Sequence, residues 1–75
     1  MKAAILVSMD SGKLSTITDE VKKIQGVKEA FAVAGRADIV AIVDSKDLKD
    51  IANVSLKIFG IGGVSACETL VEVPM

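Results

Sequence analysis

Residues 3–9 (AAILVSM) form an uncharged apolar run that stops at Asp10-Ser11-Gly12. A short continuous run bounded by turn residues predicts a buried strand. Leu14, Ile17, Val21 and Ile24 then recur at helical spacing, with Lys13, Asp19, Glu20, Lys22 and Lys23 between them. That pattern predicts an amphipathic helix of roughly three turns. Gly26 ends it, as a residue that can take a left-handed cap. Residues 27–34 (VKEAFAVA) read as a second strand, Gly35-Arg36-Ala37 as a turn, and residues 38–44 (DIVAIVD) as a third strand. Ser45 and Asp47 are candidate caps for a second helix. Its apolar face is Leu48, Ile51, Val54 and Ile58, with Ile61 at the margin. Gly60, Gly62 and Gly63 loosen its exit, residues 64–73 (VSACETLVEV) read as a last strand, and Pro74 stops it.

The chain echoes itself. Leu14, Ile17, Val21, Ile24, Gly26 and Val27 return as Ile51, Val54, Ile58, Ile61, Gly63 and Val64, at a constant offset of 37 positions. Each half is therefore strand–helix–strand. The link between strands two and three is too short for a crossover, so they pair as an antiparallel hairpin. Two right-handed crossovers joined by that hairpin predict an α+β, ferredoxin-like βαββαβ fold. The expected strand order is 4-1-3-2, with both helices on one face of a four-stranded antiparallel sheet. Charge placement agrees. Lys28, Glu29, Glu68 and Glu72 fall on the two strands expected at the edges, where charge discourages stray pairing.

Ile5 and Val7 point one way and Leu6 the other; Ile39 and Val43 point one way, Val40 and Ile42 the other. A sheet with one solvated face should alternate apolar and polar. These two strands do not, so the face away from the helices must meet something apolar. A second copy of the same sheet is the simplest partner.

Composition narrows the function. The chain has 75 residues, nine Lys+Arg, ten Asp+Glu, no His and a single Cys. This length fits one domain spanning residues 1–75. A domain of this size buries only about 60% of its unfolded surface and gains much from association. Balanced charge argues against a surface built to bind nucleic acid directly. The lone thiol excludes an internal disulfide or a cysteine-rich zinc cage. Residues 1–9 are too short for a membrane helix and lack a secretory cleavage signal. The expectation is a soluble, cytoplasmic domain that needs no metal or cofactor. Cys67 has no His to activate it, so no catalytic residue is assigned. Gly60-Ile61-Gly62-Gly63 follows a helix instead of opening one, which is the wrong dipole end for an anion. Phe31 and Phe59 are the only aromatics, too few for an RNA-stacking sheet, and Phe59 is expected in the core or an interface.

The turn into strand three carries the most chemistry. Gly35 suits a positive-φ position, Arg36 can pair with a carboxylate, and Asp38 can accept from amides or an ammonium. With Ile24-Gln25-Gly26-Val27 before it, Ile39-Val40 after it, and Gly63-Val64 leading to Thr69-Leu70-Val71, the chain resembles the RAM domain. That is the effector-binding and assembly domain of Lrp/AsnC-type transcriptional regulators. The resemblance implies a dimer formed through sheet faces and further assembly into rings of dimers. It also implies a small effector, commonly an amino acid, in a cleft between dimers. Carried across residue by residue, it makes Gly35, Arg36, Ala37, Asp38, Thr69 and Cys67 the site candidates. Two departures stand out. Ala37 occupies a position often aromatic in the family, and Cys67 one where Ser or Thr is frequent. The DNA-binding domain of such regulators has no counterpart in residues 1–75, so the chain resembles the stand-alone RAM proteins, with full-length Lrp/AsnC regulators as candidate co-assembly partners. Two other readings of the topology are a small dimeric α/β-barrel enzyme and an ACT-like ligand-binding module.

Overall fold

A computed structural model describes residues 1–75. Its elements are β1 (Lys2–Met9), α1 (Leu14–Lys22), β2 (Val27–Ala32), β3 (Ile39–Asp44), α2 (Leu48–Phe59) and β4 (Val64–Val71). The four strands form one sheet in the order β2-β3-β1-β4, and every pairing is antiparallel. This is the ferredoxin-like arrangement with the two charge-free strands in the middle. β2 and β4 are each shorter than the runs of residues 27–34 and 64–73.

Alternation places the core. Ala3, Ile5 and Val7 of β1 and Ile39, Ala41 and Val43 of β3 are buried together with Ala30 of β2. Ile17 and Val21 of α1 and Ile51, Val54 and Ile58 of α2 cover them from one side. Ile5, Val7, Val21, Ile39, Val43, Ile51 and Ile58 are fully buried, each contributing about 1.5–3 kcal/mol of transfer free energy. The opposite sheet face has no cover. In register across it lie Phe31, Val40, Leu6 and Glu68 in one row, and Glu29, Ile42, Ala4 and Leu70 in the next. Phe31 is 43% exposed and Leu70 50%.

The ends of the elements follow local chemistry. Asp47 is the cap of α2; its carboxylate accepts from the Asp50 amide at 2.9 Å. Ser45 does not cap. The α1 helix is shorter than its apolar spacing suggests and has no side-chain cap. Ile24 falls in the turn beyond it. The echo between halves is structural: Val27 donates to the Ile24 carbonyl and Val64 to the Ile61 carbonyl, both at 3.1 Å. Gly26 and Gly63 precede those valines with φ of +102° and +99°. A side chain at Gly63 would collide with the Ser11 carbonyl and with Ile17 Cδ1.

Two residues of the expected apolar helix faces are not in the core. Leu14 and Leu48 are the first residues of their helices, where a side chain tilts past the helix end, and both are exposed. Phe59 is 52% exposed at the last turn of α2. At about 100° per residue, Leu48, Ala52, Leu56 and Phe59 form a second apolar stripe, roughly 120° around α2 from the core-facing one. The helix is therefore apolar on two adjoining sides.

Gly63→Ala is expected to destabilise the domain by at least about 2 kcal/mol, from the positive-φ penalty plus the collision. Gly35→Ala, with φ of +143° but nothing within 4 Å, is expected to cost less. Urea denaturation at equal chain concentration measures both, and equal losses would contradict this packing.

Candidate functional site

The β2–β3 hairpin closes with the Val33 amide donating to the Asp38 carbonyl at 2.9 Å. Gly35 supplies the positive φ that the turn needs. Ala37 is buried, so this small residue fits a tight place. Arg36 extends outward, its side chain 78% exposed, and Nη2 donates to Glu68 Oε1 at 3.0 Å. Glu68 lies opposite Leu6, so Arg36 crosses the uncovered face from the hairpin to β4. A pair this exposed contributes little to stability.

Asp38 is tied into the sheet. Its amide donates to the Val7 carbonyl at 2.9 Å, and its Oδ2 accepts from the Met9 amide at 2.9 Å. The β1–β4 register shifts between Ser8 and Met9, and the Asp38 carboxylate takes up the Met9 donor beside that irregularity. The second oxygen, Oδ1, makes no hydrogen bond within the chain. Asp38 is thus both a structural acceptor and a carboxylate with capacity for one more donor.

Thr69 and Cys67 sit elsewhere. Thr69 is in register with the buried Ile5, and Cys67 with the buried Val7, so both face the helices. Cys67 packs against the core, and burial raises its thiol pKa above the ordinary value. A raised pKa leaves little thiolate at neutral pH, which suits a packing residue and not a nucleophile. Thr69 Oγ1 donates to Ser55 Oγ at 3.1 Å, across a groove of about 400 Å³ between α2 and β4. Within one chain the structure brings Gly35, Arg36, Ala37 and Asp38 together at the Met9 end of the sheet. Thr69 opens on the helix-covered face, away from Arg36.

Two participants escaped the sequence reading. Glu68 is the partner of Arg36, 32 residues away, and Ser55 is the partner of Thr69. The stripe of Leu48, Ala52 and Leu56 was the available signal for the groove beside Ser55. No group of three or more His, Cys, Asp or Glu side chains is arranged to hold a metal ion. No helix is long and apolar enough to cross a membrane.

Comparison with known proteins fits this geometry. The family model of the Lrp/AsnC ligand binding domain matches residues 2–73. No curated protein sequence matches the chain. A crystal structure of a protein from Thermus thermophilus is similar at 25% identity and TM-score 0.90, covering 99% of this chain and 94% of that one. FFRP-DM1 is similar at 26% identity and TM-score 0.82, covering 96% and 97%. A transcriptional regulator from Neisseria meningitidis, solved as an L-Met complex, shares the fold at 22% identity and TM-score 0.77. The chain covers 52% of that regulator's length and is itself 99% covered. The matched family is one of regulatory ligand-binding domains and not of enzymes. The chain therefore belongs to the Lrp/AsnC ligand binding domain family.

Proposed function

We propose that this chain is a non-enzymatic, amino-acid-responsive assembly module. It pairs face to face through its uncovered sheet, and its pairs join into a ring. The observation that carries this reading is the uncovered face itself. Leu6, Val40, Ile42, Phe31, Leu70 and Ala4 give two central strands and both edges an apolar surface without helices over it. Burying a few hundred Å² per chain at about 25 cal/mol/Å² contributes several kcal/mol, a large fraction of a typical stability of about 5–15 kcal/mol. An isologous pairing covers the same patch on both copies at once.

The effector reading rests on the hairpin. Gly35, Arg36, Ala37 and Asp38 stand at the sheet end, with Arg36 exposed and Asp38 Oδ1 open to a donor. Arg36 suits a ligand carboxylate and Asp38 an ammonium, so the pair suits a zwitterion. The Neisseria meningitidis regulator of this fold was solved with L-Met, which supports the same ligand class. Thr69 and Cys67 belong to the candidate set through the last strand. An effector held between copies stabilises the assembly that contains its site. The module would then act in the cytoplasm without touching nucleic acid itself, and reach DNA by co-assembling with full-length Lrp/AsnC regulators.

Sedimentation at micromolar chain concentration is expected to show a dimer or a multiple of it. Leu6→Lys places a lysine opposite Glu68, which a single sheet tolerates and a buried face does not, so it is expected to sediment as a folded monomer. A wild-type monomer would remove the face-to-face reading. A thermal-shift screen of the twenty amino acids is expected to find at least one that raises the melting temperature. Asp38→Asn keeps an oxygen for the Met9 amide but drops the charge, and is expected to lose that shift with the dimer intact. Asp38→Ala orphans the Met9 donor as well and is expected to cost about 1–3 kcal/mol by itself. A full shift in Asp38→Asn would take Asp38 out of the site.

A further inference from the structure

The chain has one glutamine and one asparagine, Gln25 and Asn53, and the fold brings both to a single cleft of about 270 Å³. Gln25 and Gly26 line it from the turn between α1 and β2, and Ser45 from the loop after β3. Asp50, Asn53 and Lys57 of α2 complete it, with Val54 as the one apolar residue of the lining. Asp50, Asn53 and Lys57 stand at i, i+3 and i+7, so they form one polar stripe of the helix. That stripe lies roughly 100° around α2 from the core-facing side, on the flank away from Leu48, Ala52 and Leu56. The cleft therefore opens on the helix side, and a face-to-face pairing of sheets leaves it accessible.

Backbone contacts hold the walls. Gly26, at φ of +102°, packs so close to α2 that a Cβ there would be 2.8 Å from Val54 Cγ2. The Ser45 amide donates to the Met1 carbonyl at 2.9 Å. The polar side chains, by contrast, are uncommitted. Those of Gln25, Ser45, Asp50, Asn53 and Lys57 make no hydrogen bond or ion pair within the chain. Asp50 and Lys57 are about 10 Å apart along the helix axis, so opposite charges mark the two ends of the stripe with Asn53 between them. A carboxamide offers both N–H donors and a carbonyl acceptor. A hydroxyl answers both, whereas an ammonium has only donors and leaves the amide N–H groups unmatched. An apolar molecule gains little here, because Val54 alone would lose water to it. The volume falls below the range of about 300–1,000 Å³ usual for drug-sized ligands, which limits the occupant to a few carbons.

We propose that this cleft binds a small polyol carrying one anionic group, a phosphate or a carboxylate. Lys57 takes the anionic group. Asp50 accepts hydroxyl protons at the other end, and the carboxamides of Gln25 and Asn53 both donate to and accept from the hydroxyls between. The opposed charges of Asp50 and Lys57 fix which way round the ligand lies. The site is complete within one copy and stands apart from the hairpin, so it does not rest on the effector reading above.

The test is an NMR titration of the whole, nitrogen-labelled chain. Gln25 and Asn53 give its only side-chain carboxamide signals, so the cleft reports on itself. Glycerate or glycerol phosphate is expected to shift both signals saturably, and the tighter of the two identifies the anionic group. Glycerol lacks the charge and inorganic phosphate lacks the hydroxyls; each is expected to bind about tenfold more weakly, the scale of one lost hydrogen bond to a charged group. Serine has an ammonium where glycerate has a hydroxyl and is expected to bind about tenfold more weakly than glycerate. Lys57→Met keeps the length of the side chain without its charge and is expected to weaken both anionic polyols about tenfold. Asp50→Ala is expected to weaken them by a similar factor and to leave inorganic phosphate unchanged. Both positions lie outside the core, and the dispersion of the backbone signals checks that each variant is folded. Carboxamide signals that neither polyol moves overturn the proposal. Serine binding as tightly as glycerate, inorganic phosphate as tightly as glycerol phosphate, or full binding by folded Lys57→Met overturns it equally.

Discussion

The two central strands are apolar on both sides, and everything else in this small molecule answers to that. In β1 and β3 the odd-numbered residues build the core under the helices. The even-numbered residues Ala4, Leu6, Val40 and Ile42 have no helix to meet. Two helices of this length cover one face of a four-stranded sheet and no more. A strand with period two cannot hide its second face by local adjustment, because a one-residue slip exchanges the faces and leaves the same amount uncovered. Removing that surface from water takes an apolar surface that residues 1–75 do not supply, and the small size of the domain makes the gain matter.

In the hairpin one residue holds the sheet together and keeps a carboxylate oxygen free. Asp38 supplies the acceptor for the Met9 amide where the β1–β4 ladder becomes irregular. That bond fixes the carboxylate in place, and the ligand site proposed for it would draw on that preorganisation. Gly35 and Ala37 are small for separate reasons. Gly35 accommodates the backbone, and Ala37 occupies buried space. Arg36, by contrast, is held only by an exposed ion pair with Glu68 and can exchange that partner at little cost.

Much of the fold was legible because it follows from short-range periodicity. The strand–helix order, the hairpin, the central positions of β1 and β3 and the two-sided character of those strands all came from spacing and charge. Gly35 and Gly26 at positive φ were equally readable, and Asp47 was one of two cap candidates, since each answers a local backbone need. The errors lie where a residue's fate depends on what stands beside its element. Leu48 has core-like chemistry, yet it belongs to the second stripe of α2, which the sheet does not reach.

By itself, then, the amino-acid sequence determined which residues alternate, where helices start and where glycine must stand, because these are set by steric and solvent preferences within a few residues. Tertiary structure alone decided that Asp38 meets the Met9 amide, that Arg36 reaches Glu68, and that Ser55 and Thr69 face each other over an apolar groove. Those contacts join positions separated by 29, 32 and 14 residues. They depend on strand register and on how α2 rotates over the sheet, and hydrophobic periodicity leaves both free until the whole core is packed.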